Sequence, residues 1–232
     1  MPLTPIVLVP GLNCTERAFV EVLPALWPFG SVTIANHRRG GTVTEIARGI
    51  LAEAPERFAL LGFSMGGYIA FEIFRQAPHR IERLCCLATS ARPDTPEQTE
   101  NRERQIALTE SGKFASVAKA AFPLVVHSDN VGNERLRAIH LDMAAATGAE
   151  TYVVQQKAII ARPDSRPMLA GIGCPTAVIV GETDQITGVE AAVEIANTVP
   201  GAKLTRVPGA GHLVPLEQPA AVQGALAHWM SL

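Results

Sequence analysis

Phe58-Ala-Leu-Leu-Gly-Phe-Ser-Met-Gly-Gly-Tyr68 decides the reading of this chain. Phe58 to Leu61 is a short unbroken apolar run, the pattern of a strand buried on both faces. It leads into Gly62-Phe-Ser64-Met-Gly66, and a helix-like pattern follows at once. A serine on so sharp a strand-to-helix turn is held at strained backbone angles, with its hydroxyl lifted above the sheet edge. Side chains two residues to either side would collide with neighbouring chain, and glycine avoids this. The helix that starts there aims its free N–H groups at any anion formed beside the serine. The pentapeptide alone arises by chance in about 5 % of chains of this composition, so its surroundings must carry the argument.

Outward from this turn, short apolar runs alternate with longer helical patterns. Ile6–Val9, Val32–Ala35, Phe58–Leu61, Leu84–Ala88, Ala177–Val180 and Lys203–Val207 read as strands. Helices are expected over Thr15–Trp27 with Asn13 as N-cap, over Val43–Glu53 capped by Thr42, from the serine turn to Gln76, over Val189–Thr198, and over Pro219–Met230. Apolar strands joined by helices mean a parallel sheet covered on both faces. Right-handed crossovers then collect the C-terminal strand ends on one edge, where ligands bind in open α/β sheets.

The alternation stops between residues 90 and 166. Pro93-Asp-Thr-Pro96 opens this stretch and Arg162-Pro-Asp-Ser-Arg-Pro167 closes it. Between them lie helix-forming segments at 97–111, 115–122, 133–146 and 150–160. They read as a helical lid inserted over the catalytic edge, within a single domain spanning 1–232.

Composition narrows the function. Hydrophobic residues make up 47 % of the 232, charged residues 18 %, and the net charge is −2, which suits a globular chain with a large core. No basic run would bind phosphates, so neither nucleic acid nor an anionic membrane is an expected partner. Cys14, Cys85, Cys86 and Cys174 form no Cys-x-x-Cys pair and no His/Cys cluster with metal spacing, so no metal is expected. Cys85 and Cys86 are strand neighbours pointing to opposite faces and cannot readily pair. A reducing compartment, the cytoplasm, is expected. Met1-Pro-Leu-Thr-Pro5 does not have the pattern of a secretory signal. No apolar run approaches the ~20 residues that span a bilayer.

A serine hydroxyl needs a base to take its proton, usually a histidine held by a carboxylate. His212, in Pro208-Gly-Ala-Gly-His-Leu-Val-Pro215, follows the last strand on the same edge as Ser64. His37, in Asn36-His-Arg-Arg-Gly40, is the second candidate; His79, His127, His140 and His228 fall on helices or their ends and are expected to be solvated. The expected acid is Asp184, in Val180-Gly-Glu-Thr-Asp-Gln185, beyond the fifth strand. Asp94, after the fourth strand, is its rival on the same edge; Glu182 is too near the strand end and Asp164 lies at the wrong end. Two N–H donors should face the reacting carbonyl oxygen: Met65, which comes with the serine turn, and Leu12, in Val9-Pro-Gly-Leu-Asn13, where Gly11 lets the backbone turn inward.

At these residues the chain resembles the α/β-hydrolase family. The order Ser64, Asp184, His212 is that family's order. The most specific stretches are Gly62-Phe-Ser-Met-Gly-Gly67, Val180-Gly-Glu-Thr-Asp184 and Gly209-Ala-Gly-His-Leu-Val-Pro-Leu-Glu-Gln-Pro219. Within the family the chain looks like small esterases, enol-lactone hydrolases and carbon–carbon bond hydrolases with a helical lid before the acid. The resemblance implies an α/β-hydrolase fold and cytoplasmic acyl chemistry without a cofactor. Three features depart from the family's habit. Pro10-Gly11 stands where His-Gly is common, Asn36-His-Arg-Arg-Gly-Gly41 only partly matches Asp-x-Arg-Gly-x-Gly, and no antiparallel hairpin opens the chain. The sheet should therefore have about six strands, mainly parallel.

The expected function is a serine hydrolase acting on a small ester, lactone or thioester. Carbon–carbon bond hydrolysis, acyl transfer or cofactor-free peroxidation on the same three residues is the nearest alternative. A ligand-binding receptor that keeps the triad is a third, of another class. A serine at position 64 argues against dehalogenase or epoxide hydrolase chemistry, which in this family uses a carboxylate. Oligomeric state is open; homodimers are common among soluble proteins in general.

Overall fold

The computed structural model describes residues 3–232. Its strands are β1 (Ile6–Val9), β2 (Val32–Ile34), β3 (Phe58–Phe63), β4 (Ile81–Leu87), β5 (Thr176–Gly181) and β6 (Lys203–Val207). They form one six-stranded sheet in the order β2-β1-β3-β4-β5-β6. Every neighbouring pair is parallel, with Ile6 level with Val32 and Ala59, Leu84 with Thr176, and Val178 with Leu204. The chain runs outward from β1 to β2 and then crosses back to β3. Strand order therefore reverses between β1 and β3, the kind of switch point where α/β sheets open a crevice.

The apolar strand residues divide between two cores by alternation. Val7, Val9, Phe58, Leu60, Cys86, Val178 and Val180 face one side, and Ile6, Leu8, Ala59, Leu61, Cys85 and Ile179 the other. Cys85 and Cys86 thus point apart, as strand neighbours must, and all four cysteines are free. The first core is closed by α2 (Val43–Glu53), α3 (Met65–Gln76) and α9 (Val189–Thr198); the second by α1 (Leu23–Leu26) and α11 (Pro219–Ser231), whose Trp229 is fully buried. Thr42 caps α2 by accepting from Glu45 N–H, as expected.

Between β4 and β5 the regular structure is all helical: α4 (Pro96–Leu108), α5 (Phe114–Val125), α6 (Glu134–Thr147), α7 (Ala149–Ile160) and α8 (Arg166–Leu169). A π-type turn over Thr109–Lys113 joins α4 to α5, with Gly112 at φ 83°. The short α10 (Val214–Glu217) precedes α11. Among the described residues, no helix is long and apolar enough to cross a membrane.

One expected helix is not formed. Thr15–Trp27 consists of a 3₁₀ turn at Glu16–Ala18, further turns, and the four residues of α1. Pro24 explains the break, because it has no N–H to give and its ring would collide with the carbonyl of Val20 in a continuous helix. Asn13 is not the cap. It sits at φ 59°, and Thr15 caps the turn instead.

The start of α3 is pressed against β1 and β3 at backbone level. A Cβ on Gly62 would run into the Gly66 carbonyl, and one on Gly66 into the Val9 carbonyl. Neither neighbour is a side chain that can swing away. Gly66→Ala is therefore expected to cost about 3 kcal/mol or more of stability. Gly224→Ala in the exposed interior of α11, where nothing lies within 4 Å of the added carbon, should instead gain about 0.5–1 kcal/mol. Urea denaturation of both variants checks the pair.

Candidate active site

Four strand ends converge on one edge of the sheet. Ser64 follows β3, at φ 54° and ψ −115°. Three hydrogen bonds pin this strained residue: its N–H donates to Leu87 O at 2.9 Å, and its carbonyl accepts from Gly67 N–H and from Thr89 Oγ1, each at 2.8 Å. His212 follows β6 in a glycine-rich loop. Gly211 lies so close to the end of α5 that a Cβ would meet the backbone of Val126 and His127. Asp184 follows β5.

The structure brings all three side chains together. Nε2 of His212 is 2.8 Å from Ser64 Oγ, and Nδ1 is 2.9 Å from Asp184 Oδ2. Because a carboxylate only accepts, the imidazole proton belongs on Nδ1, which leaves Nε2 to accept from the serine hydroxyl. The Phe63 ring flanks His212 at a centroid distance of 5.4 Å. Ser64, Asp184 and His212 are all buried.

Asp184 is held as an anion. Burial opposes its charge, but the adjacent His212, hydrogen bonds from His212 and Thr187 Oγ1, and the Ile186 N–H bring its pKa down to about 2. Oδ1 takes the Ile186 and Thr187 N–H groups at 2.8 and 3.1 Å, and Oδ2 takes Thr187 Oγ1 at 2.7 Å. The carboxylate thus cannot turn away from the histidine without losing these donors.

The rival residues are engaged elsewhere. Asp94 is buried between two guanidiniums, 2.6 Å from Arg102 Nε and 2.7 Å from Arg162 NH1. His37 puts Nε2 3.0 Å from the Gly11 carbonyl oxygen. Its pKa falls to about 4, chiefly through burial, against the opposing Gly11 bond and with help from Arg38. Asp164 pairs with Arg166, and Glu182 is exposed. His79 and His228 are exposed, but His140 is buried, with Nε2 2.9 Å from Ala118 O, and His127 is half-buried. The expectation of solvated rings fails there because α5 and α6 pack together and supply His140 a carbonyl.

Met65 is the first residue of α3, so its N–H is one that a helix leaves unpaired. Its side chain is fully buried core. Leu12 lies in the loop after β1, and its N–H has no protein acceptor among the described residues.

Sequence reasoning did not single out two polar residues. Glu217 accepts from Gly211 N–H at 2.8 Å and from His127 N–H and Asn130 Nδ2 at 2.6 and 2.9 Å, tying the His212 loop to the segment after α5. Gln155 of α7 accepts from Asn13 N–H at 3.0 Å. Only the position of Glu217 in Pro215-Leu-Glu-Gln-Pro219 hinted at a role.

The sequence model of the alpha/beta hydrolase family matches residues 6–225. The chain belongs to this family, and it is a hydrolase. This alpha/beta hydrolase is 28 % identical, over 78 % of its length and 77 % of the relative's, to the pimeloyl-[acyl-carrier protein] methyl ester esterase of Aromatoleum aromaticum. Among solved structures it is similar to a thermophilic esterase from Thermogutta terrifontis, at 27 % identity and TM-score 0.89, covering 98 % of this chain and 89 % of that one. The enol-lactonase of Burkholderia xenovorans LB400 shares the fold at TM-score 0.89 and 24 % identity, covering 100 % and 93 %.

His37 and Asp184 contribute to the acid response of this hydrolase, beside His140 and Asp164, whose pKa values are also lowered. Unfolded, His37 takes up a proton near 6.5; folded, only near 4. Between these values the unfolded chain binds more protons, so stability falls as pH falls. Asp184 keeps its contribution above the ordinary carboxylate range and loses it as pH drops toward 2. His37→Gln removes the first effect only. Its melting temperature should therefore fall less than the wild type's between pH 6.5 and 4, as measured by thermal denaturation monitored by circular dichroism.

Proposed function

We propose that this hydrolase cleaves a small ester, lactone or thioester through an acyl-enzyme on Ser64. One observation carries the proposal: the unbroken hydrogen-bond chain from Asp184 through His212 to a serine held at positive φ. The esterase similarity supports the same class of substrate.

The chemistry follows from the positions. Ser64 Oγ attacks the carbonyl carbon while His212 Nε2 takes its proton. Asp184 holds the ring in that tautomer and steadies the imidazolium. The carbonyl oxygen becomes negative between the N–H groups of Leu12 and Met65, at the positive end of α3. His212 then gives its proton to the departing alcohol or thiol, and the acyl group remains on Ser64. Water, deprotonated by His212, attacks this ester, and the serine leaves with the proton. No cofactor takes part in these steps.

The helices of residues 90–166 act as a lid in this reading. They touch the catalytic edge through Leu213 N–H on Val125 O at 2.8 Å, Arg38 on Ala146 O at 2.9 Å, and the Glu217 and Gln155 bonds. Ser64 beneath them is only 8 % exposed. A covered serine suits a small acyl substrate that enters when these contacts part. Four free cysteines support a cytoplasmic setting.

Ser64→Ala should fold and lose roughly 10³-fold or more in ester turnover, because the three residues act as a unit. Asp184→Asn should lose orders of magnitude in kcat by favouring the wrong tautomer. Asp94→Asn should instead leave kcat near wild type and cost about 3 kcal/mol of stability, by removing the carboxylate that pairs with the buried Arg162 and the partly buried Arg102. Kinetics on a panel of esters, with denaturation of each variant, tests all three. Retained turnover in Ser64→Ala, or kcat lost at Asp94 rather than Asp184, contradicts the assignment.

A further inference from the structure

The loop after β1 is held from three directions. The Gly11 carbonyl oxygen accepts from Cys14 N–H at 3.1 Å and lies 3.0 Å from Nε2 of His37. Two residues on, Asn13 N–H donates to Oε1 of Gln155 at 3.0 Å. His37 comes from the loop after β2, and Gln155 from α7 of the inserted helices. Both side chains are essentially buried, at 2 % and 1 % exposure. Between the two held groups sits the Leu12 N–H. The loop turns through Asn13 at φ 59°, a conformation that a non-glycine residue keeps only when its surroundings enforce it.

Peptide geometry links these bonds to Ser64. In a planar trans peptide, the Gly11 C=O and the Leu12 N–H point in opposite directions. Whatever fixes the Gly11 oxygen therefore aims the Leu12 hydrogen. Gly11 packs directly on the serine turn: a Cβ there would stand 3.2 Å from Ser64 Cβ and 3.3 Å from Phe63 O. Pro10, Gly11 and Leu12 carry no side-chain hydrogen-bonding group, so a side-chain donor that holds this peptide has to come from elsewhere. His37 can donate to a carbonyl only with its proton on Nε2. Burial keeps the ring neutral over the working range of pH.

We propose that His37 is a positioning residue for the reaction at Ser64: its Nε2–H, with Gln155 gripping the far side of Leu12, aims the Leu12 N–H at the substrate oxygen as that oxygen becomes negative. The inference deepens the proposed hydrolysis and rests on it. Holding the donor in place before the reaction spares reorganisation when charge appears. A displacement of about 1 Å in such a group can cost about 10²-fold.

A matched ester and thionoester test the role. Sulfur accepts hydrogen bonds poorly, so the preference for the oxygen ester reads the contact to that oxygen. His37→Phe keeps a ring without a donor. Its kcat on the ester should fall by about 10²-fold with KM within about threefold, and the preference for oxygen over sulfur should shrink by about tenfold or more. His37→Gln, which restores an N–H, should recover much of both. Gln155→Leu should shrink the preference in the same sense and stands in if the Phe variant does not fold. Equal losses on the two substrates, or no loss, overturn the positioning role. Turnover that survives Ser64→Ala overturns the hydrolytic reading itself, and this inference with it. Because only that outcome involves Ser64→Ala, the two failures are distinguishable.

Discussion

The molecule depends on a backbone contact with no room for a side chain. The first turn of α3 abuts the end of β1, with Gly66 against the Val9 carbonyl and Gly62 against the Gly66 carbonyl. This closeness throws Ser64 into positive φ and lifts it off the sheet. Such a conformation costs about 1–3 kcal/mol. Burial of Ile69, Phe71 and Ile73 along the same helix offsets it, since each large apolar side chain contributes about 1.5–3 kcal/mol when fully buried. The strain persists because the element that causes it is also the most deeply packed helix of the fold.

That contact also sets the electrostatics. It places the open N-terminus of α3 beside the loop after β1, at the strand-order reversal. Two buried acids stand on this same sheet edge and differ in what they face. Asp94 is locked by the guanidinium groups of Arg102 and Arg162. Asp184 faces His212, a ring that can take a proton and give it back. An acid between guanidiniums can only brace the helices between β4 and β5. One beside an imidazole can take part in proton transfer.

Much of this was legible in the chain itself. Central strands announced themselves as short apolar runs, and the glycines around Ser64 marked the close approach. Helices α2 and α9 and strand β6 lie where periodicity and the Thr42 cap put them. Ser64, Asp184 and His212 could be chosen because each follows a strand on one edge. Long-range partners were not legible. Gln155 reaches Asn13 and Glu217 reaches His127 across 142 and 90 residues. No local pattern encodes such meetings. The 15–27 segment failed as a helix because one proline outweighed an otherwise helical composition, and His140 proved buried because a neighbouring helix supplies its acceptor.

In the proposed reaction, Ser64 carries the acyl group during turnover. Acid quenching within milliseconds of mixing with a slowly deacylating ester, followed by intact-protein and peptide mass spectrometry, tests it directly. One acyl adduct is expected, located on Ser64, growing in before steady state and missing from the His212→Ala variant. An adduct on another residue, or steady turnover with no adduct under conditions where release of the acyl group is rate-limiting, would contradict the proposed reaction.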